Sequence, residues 1–185
     1  MITVNTREDF LRTLKTFLPD NSFGVEIGTY RGEFAKMILD IIKPNFLTLI
    51  DPFEKNEEVY EEMNLTTAYS SVEDYEQVKR ILATEIQDGT VAIIRDYSYN
   101  EVKCCPDGIV DFVYLDGSHK YLDVKKDLND WLPKLADSGI MAGHDYADIK
   151  EFGVISAVNE FIREHNYEMI VLNVNGGDWA LRKIK

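Results

Sequence analysis

Short apolar runs alternate along this chain with longer stretches in which apolar residues recur every three or four positions. Runs of four to eight residues bounded by turn residues indicate buried strands, and the periodic stretches indicate amphipathic helices. The runs predict strands at 23–27, 46–50, 91–94, 109–115, 138–142, 167–174 and 178–184. The periodic stretches predict helices at 34–42, 72–87, 121–132 and 151–164.

The order of these elements predicts the fold class. Strands and helices alternate until the last two strands, which flank Asn175-Gly176-Gly177, a hairpin signal. This order is typical of an α/β, Rossmann-like, doubly wound sheet of seven mostly parallel strands. We expect helices on both faces and an antiparallel hairpin strand at the C-terminal edge.

The domain organisation follows from length. A chain of 185 residues suits one domain. Thr6 followed by Asp9 predicts a capped helix within residues 1–20. We therefore expect a single domain over 1–185, with this N-terminal helix followed by a Rossmann-like core over 21–185.

The first predicted strand runs into a glycine turn, F-G-V-E-I-G-T-Y-R-G at 23–32. In an open α/β sheet such a turn lies at the carboxyl end of its strand, where ligands bind. Gly28 and Gly32 would let the backbone approach a ligand closely. A pyrophosphate site favours G-x-G-x-x-G, but Glu26 stands where the first glycine should be. Because a carboxylate repels phosphate and attracts a cation, the turn favours a positively charged cofactor.

A second acid supports a nucleoside at the same place. Asp51 closes the next predicted strand, where a carboxylate can accept hydrogen bonds from both hydroxyls of a ribose. The alternative for Glu26 and the glycines is an ordinary strand-to-helix turn.

At these residues the chain resembles the class I S-adenosylmethionine-dependent methyltransferases. The segment E-I-G-T-Y-R-G at 26–32 is similar to their first motif, and Asp51 to their ribose-binding acid. The resemblance implies S-adenosylmethionine as cofactor. It implies cofactor contacts from Glu26, Gly28, Thr29, Tyr30, Gly32, Asp51 and Phe53, with Asp96, Tyr97 and Ser98 at the adenine. The alternative for Tyr97 is a loop aromatic that shields the core.

Further polar groups follow the other predicted strands. The carboxyl ends of parallel strands meet at one edge of a sheet, so these groups should converge. They are Glu26, Asp51, Asp96, Asp116, His119, His144 and Asp145.

The residues at two of these strand ends restrict the resemblance to one branch of the methyltransferases. D-F-V-Y-L-D-G-S-H-K-Y and S-G-I-M-A-G-H-D-Y are similar to a bacterial small-molecule O-methyltransferase branch that includes macrolide sugar methyltransferases and cephalosporin-hydroxylase-like proteins. The similarity runs from about Val25 to Tyr146. It implies that Asp116, His144 and Asp145 bind magnesium, that His119 is the catalytic base, and that Asp116 also contributes to catalysis and cofactor binding.

His144 departs from that branch, which has a second acid there. Imidazole suits zinc, iron or copper better than magnesium, so the identity and the presence of a metal stay open. Without a metal, Asp116 would orient the following helix and His144 would hydrogen-bond locally. The alternative for His119 is a helix N-cap or first-turn residue.

Composition excludes several partners. Twenty basic against thirty-three acidic residues give a net charge of −13, which argues against nucleic acid and anionic membranes. No apolar run approaches the ~20 residues of a membrane span, and MITVNTRED does not resemble a signal peptide. Cys104 and Cys105 are adjacent, which suits neither a disulfide framework nor a C-x-x-C metal site. We expect a cytoplasmic protein with reduced cysteines.

The sequence therefore predicts an S-adenosylmethionine-dependent O-methyltransferase that acts on a small hydroxylated molecule, such as a sugar or a natural product. The alternatives are a nucleotide-dependent oxidoreductase on the same fold and a non-catalytic cofactor-binding module. The acceptor, the oligomeric state and the role of the loop at 52–68 stay open.

Overall fold

A computed structural model describes residues 1–54, 71–150 and 152–184. Most of the predicted loop at 52–68 lies outside these ranges. So does residue 151, at which the last helix was predicted to begin.

The described residues form one eight-stranded sheet in the order β1-β7-β8-β6-β5-β2-β3-β4. Strand β8 is antiparallel to β6 and β7, and the other neighbours are parallel. The strands are β1 (Ile2–Val4), β2 (Phe23–Ile27), β3 (Phe46–Ile50), β4 (Val91–Ile94), β5 (Val110–Leu115), β6 (Leu135–Gly143), β7 (Tyr167–Asn173) and β8 (Trp179–Lys183).

The predicted α/β fold with a C-terminal antiparallel hairpin is confirmed, but two details were wrong. The sheet has eight strands rather than the predicted seven. Strand β1 was missed because its three residues are too few to show a periodic pattern. The hairpin strand β8 lies inside the sheet, between β6 and β7, and β1 forms the edge. Trp179, Ala180 and Leu181 of β8 are all buried, as an interior strand requires.

Helices cover both faces of the sheet. Helices α1, α2 and α3 share one apolar core with it, and α6 and α7 share the other. The helices are α1 (Arg7–Lys15), α2 (Glu33–Ile41), α3 (Val72–Ile81), α4 (Ala83–Gln87), α5 (Ser98–Glu101), α6 (Tyr121–Trp131) and α7 (Val154–His165), with a 3-10 turn at Leu132–Lys134.

Local sequence explains where key helices begin and which side they bury. Thr6 Oγ1 accepts a hydrogen bond from the amide of Asp9 at 3.0 Å, so the predicted cap of α1 is present. Helix α2 buries Phe34, Ala35 and Ile38 at helical spacing. The β2–α2 unit therefore carries the glycine turn on a packed support.

Among the helices that the structure describes, none has the length and apolar character needed to cross a membrane.

Candidate active site

The glycine turn between β2 and α2 lies directly against the end of β5. Gly28 has φ +87°, and a Cβ atom on it would stand 2.1 Å from the backbone oxygen of Asp116. The amide of Asp116 donates to Ile27 O at 2.8 Å. Glycine is thus required at position 28 by β5 itself, whereas the sequence suggested a need for ligand approach. The packing sets the predicted cofactor turn and Asp116 side by side.

Glu26 lies beneath this turn and is 1% exposed. Burial raises the pKa of its carboxyl group well above the usual range, and the charge of Asp116 raises it further. Its Oε2 atom makes no hydrogen bond within the described part of the chain. A buried oxygen without a donor is costly, so a ligand that brought a cation or a donor here would be stabilised. This residue fits a cationic cofactor.

Asp51 follows β3 and ties the turn to the next loop. Its Oδ2 accepts from the Tyr30 amide at 2.9 Å, and its Oδ1 accepts from the Phe53 amide at 2.7 Å. These two contacts fix the Asp51 carboxylate at the end of β3, beside the glycine turn. The Phe53 ring is fully buried and lies 5.0 Å from the ring of Tyr75, measured between centroids.

The predicted adenine residues follow β4 at the same edge of the sheet, and the side chain of each makes a hydrogen bond. Asp96 Oδ1 accepts from the Tyr97 amide at 2.6 Å and from Asn100 Nδ2 at 2.8 Å. These hydrogen bonds lower the pKa of Asp96. The Tyr97 hydroxyl donates to Glu54, and Ser98 Oγ donates to Asp127 Oδ1 at 2.5 Å.

The structure brings together the four groups predicted for catalysis or metal binding. His119 Nδ1 lies 3.2 Å from Asp145 Oδ2, and His144 Nδ1 lies 3.1 Å from the same oxygen. His144 Nδ1 is 3.6 Å from Asp116 Oδ1. The His119 ring stacks on Phe152 at 4.4 Å between centroids. Asp145 thus joins both histidines, and we call Asp116, His119, His144 and Asp145 the acid–histidine cluster.

Burial and mutual charge set the protonation of this cluster. Burial raises the pKa of Asp116 to about 7, although the charges of His144 and Arg7 oppose the shift. Burial lowers the pKa of His119. Burial also acts to lower the pKa of His144, but its hydrogen bond to Asp145 and the charge of Asp116 raise it overall. Burial acts to raise the pKa of Asp145, yet the hydrogen bond from His144 leaves it below the usual range.

Three members of the cluster offer a metal-binding set. Ligand atoms of Asp116, His144 and Asp145 all lie within 4.8 Å of one another. Two carboxylates and one imidazole suit a first-row divalent ion such as manganese, iron or zinc, whereas magnesium prefers oxygen ligands alone. The residues therefore fit a divalent metal.

A buried network beside the cluster escaped the sequence analysis. Arg7, the first residue of α1, donates from Nε to Asp178 Oδ1 at 2.9 Å. From Nη2 it donates to the Tyr114 hydroxyl at 2.8 Å and to Asp116 Oδ2 at 3.3 Å. The Tyr114 hydroxyl donates to Asp178 Oδ1 at 2.6 Å, and Asn173 Nδ2 donates to Asp178 Oδ2 at 2.7 Å.

One signal could have pointed to this network. Tyr114 lies near the end of a buried strand, and a buried phenol needs a hydrogen-bond partner. Nothing in the sequence identifies Arg7 as that partner, since it stands 107 positions away. Asp178 was predicted only as the first residue of the last strand.

Residues 25–146 match a family described as a methyltransferase domain. The uncharacterized protein R132 of Acanthamoeba polyphaga mimivirus is 28% identical over 155 residues, which are 80% of this chain and 63% of that protein. The chain spans less than two thirds of the length of the curated relatives that it matches.

Solved structures share the fold at low identity. The O-methyltransferase TomG of Streptomyces achromogenes, in complex with S-adenosylmethionine and involved in tomaymycin synthesis, superposes with a TM-score of 0.62 and 13% identity, covering 97% of this chain and 79% of that one. A precorrin-6y C5,15-methyltransferase from Geobacter metallireducens superposes with a TM-score of 0.66 and 11% identity, covering 98% of this chain and 93% of that one. These two methyltransferases are named for different reactions and share one fold, so the fold alone does not identify the molecule that accepts the methyl group.

Proposed function

Because the chain belongs to the methyltransferase-domain family, whose model it matches over residues 25–146, we propose that it transfers the methyl group of S-adenosylmethionine to a hydroxyl group of a small molecule. The observation that carries the proposal is the direct packing of the glycine turn on Asp116. This contact makes a cofactor on the turn a neighbour of the acid–histidine cluster.

The cofactor half of the site has three parts. Glu26 presents a buried oxygen that lacks a donor among the described residues, which suits the positively charged end of S-adenosylmethionine. Asp51 holds the turn through the Tyr30 amide and is placed to accept the ribose hydroxyls. Asp96, Tyr97 and Ser98 follow β4, the neighbour of β3, and this position supports their assignment to the adenine.

The transfer half centres on His119. The acceptor oxygen attacks the methyl carbon as the carbon–sulfur bond breaks, which leaves S-adenosylhomocysteine as a neutral thioether. The hydroxyl proton passes to His119, whose ring is held by Asp145 at 3.2 Å and by the face of Phe152. A base positioned in this way contributes roughly 10²–10⁴ in rate.

A metal would add charge stabilisation at the same place. Asp116, His144 and Asp145 would hold a divalent ion, which when bound stabilises the developing alkoxide electrostatically.

A small acceptor is favoured over a polyanion. The net charge of −13 repels nucleic acid, and the carboxylates of the cluster would repel an acceptor that carries phosphate near its hydroxyl. The named O-methyltransferase among the solved structures supports oxygen as the methylated atom.

The first experiment is calorimetric titration with S-adenosylhomocysteine. We expect saturable binding that Asp51→Ala abolishes, because that change removes both the ribose acceptor and the contact to Tyr30. Absence of binding at millimolar ligand, or tighter binding of a nicotinamide dinucleotide, would overturn the proposal.

The second experiment follows methyl transfer from radiolabelled S-adenosylmethionine to a panel of alcohols, phenols and catechols. We expect His119→Asn to reduce turnover by about 10²–10⁴-fold while S-adenosylhomocysteine affinity stays the same. His165→Asn is the matched control, because His165 ends α7 and bonds to Asn129. An equal rate in wild-type protein and His119→Asn would rule out the base.

A further inference from the structure

We propose that Arg7 binds the carboxylate of the methionyl end of S-adenosylmethionine. The inference rests on the proposed function, since it assigns one part of the same cofactor site. It gives the N-terminal helix a direct role in cofactor recognition.

The Arg7 guanidinium lies beside the glycine turn. Its Cζ atom is 4.0 Å above the ring of Phe34, in the first turn of α2, and its Nη2 is 3.3 Å from Asp116 Oδ2 at the end of β5. Asp116 in turn packs against Gly28. The guanidinium therefore bridges the two elements that enclose the turn, and 32% of its side chain stays exposed.

The charges around the turn create a need for this cation. The methionyl end of the cofactor carries an ammonium and a carboxylate. Asp51 and Asp116 lie beside the turn and buried Glu26 lies beneath it. Those of these acids that are ionised attract the ammonium and repel the carboxylate. Arg7 pairs with Asp116 and Asp178, and Arg31, in the turn itself, pairs with Asp74. Arg7 is therefore a cation held directly beside Asp116, and an arginine keeps its charge at every physiological pH.

Arg7 still has donors to offer. Its hydrogen bonds to described residues use Nε and Nη2, which leaves Nη1 for a ligand. Asp178, fully buried, and Tyr114 fix the guanidinium from below. A fork that is already held in place loses little conformational entropy when it binds a carboxylate.

The test compares two ligands that differ only in the carboxylate. S-adenosylhomocysteine and its decarboxylated form share the adenosine, the thioether and the ammonium. By calorimetry we expect wild-type protein to bind the carboxylate form about 10- to 100-fold more tightly, as a charge-assisted hydrogen bond provides. Arg7→Met should bring this preference to within about 3-fold, and Arg7→Lys should keep part of it because the charge remains.

Arg12→Met is the matched control, because Arg12 is an exposed residue of the same helix. It should keep the full wild-type preference. Since Arg7→Met removes the cation that pairs with buried Asp178, the double variant Arg7→Met/Asp178→Asn removes both charges together. Asp178→Asn alone keeps Arg7 and should keep the preference.

The outcomes separate this inference from the proposed function. Equal affinity of wild-type protein for the two ligands overturns the role of Arg7 and leaves methyl transfer standing. If folded Arg7→Met or the double variant still prefers S-adenosylhomocysteine over its decarboxylated form as strongly as wild type does, the role of Arg7 is likewise overturned. Failure of wild-type protein to bind either ligand overturns the proposed function and the inference with it.

Discussion

At the scale of single residues, the rim of the sheet concentrates carboxylates whose charges are only partly balanced. Asp116 is contacted by Arg7 on one side and His144 on the other. Glu26, which lies beneath the turn, has one oxygen without any donor among the described residues. This imbalance costs stability in the free protein and is available to stabilise a bound cation.

The Glu26 carboxyl allows a direct test of whether the site loses stability in the free protein and gains affinity for a cation. Its pKa is raised in the folded state, so folding takes up a proton and stability falls as pH rises above the pKa of the unfolded chain. Glu26→Gln removes that loss while keeping the shape of the side chain. We expect a higher melting temperature than wild type at pH 8, by about 2–4 °C for each kcal/mol gained, and weaker binding of S-adenosylhomocysteine.

Thermal melts at pH 5 and pH 8 check the prediction, with Glu164→Gln as the control on an exposed glutamate. The difference between Glu26→Gln and wild type should widen toward pH 8. A variant less stable than wild type at pH 8 would show that the carboxylate is favourably solvated in the free protein.

Asp127 gives a second pH dependence, and it lines the same cavity as His119 and His144. Burial raises the pKa of this carboxyl to about 6, and the hydrogen bond from Ser98 only partly opposes the shift. Its contribution to stability is present below about pH 4 and is lost as pH rises through about 6. Asp127→Asn should therefore be more stable than wild type by about 1–3 kcal/mol at pH 7.5 and nearly equal to it at pH 4.

Urea unfolding at the two pH values measures this difference. Asp137→Asn, on an exposed acid, removes the same charge and should change little between them. Identical pH profiles for Asp127→Asn and wild type would mean that Asp127 is ionised at low cost.

The sequence could place some site residues and not others. Asp116, His119, His144 and Asp145 follow strands, and parallel strands bring their ends to one edge, so their convergence was predictable. The contact between Arg7 and Asp178 joins residues 171 positions apart, and it depends on how α1 docks on the sheet. Local pattern carries no information about such docking.

At the scale of elements, strands with strong apolar runs were predictable, whereas the three-residue strand β1 and the place of β8 within the sheet were not. Strands β2, β3 and β4 match their predicted bounds because buried parallel strands give uninterrupted apolar runs. The position of β8 between β6 and β7 follows from pairing such as Met141 with Leu181. A hairpin signal predicts that two strands pair, and it leaves open which of them meets the rest of the sheet.

Helix α1 connects this scale to the site, because its first residue is Arg7 and its cap is Thr6. Thr6→Ala removes the oxygen that accepts from the Asp9 amide. We expect a loss of about 0.5–2 kcal/mol in the free energy of unfolding, measured by urea titration. Thr6→Ser keeps the oxygen and should recover most of the loss. Equal stability of Thr6→Ala and wild type would show that packing alone holds this end of α1.

At the scale of the whole molecule, charge is the dominant feature. The net charge of −13 means that the folded chain repels itself at low ionic strength. Several acids, such as Asp20 and Asp137, are exposed on its surface. Repulsion between such groups is long-ranged, since the screening length is ~30 Å at 0.01 M salt and ~8 Å at 0.15 M.

Screening should therefore stabilise the protein. We expect the melting temperature to rise as sodium chloride increases from about 10 mM to about 200 mM, because the screening length falls below the size of the domain. The double variant Asp20→Asn/Asp137→Asn carries two fewer negative charges and should start from a higher melting temperature and gain less from salt. A melting temperature that falls with salt in both proteins would mean that local pairs such as Arg31–Asp74 and Lys125–Glu160 outweigh the global repulsion.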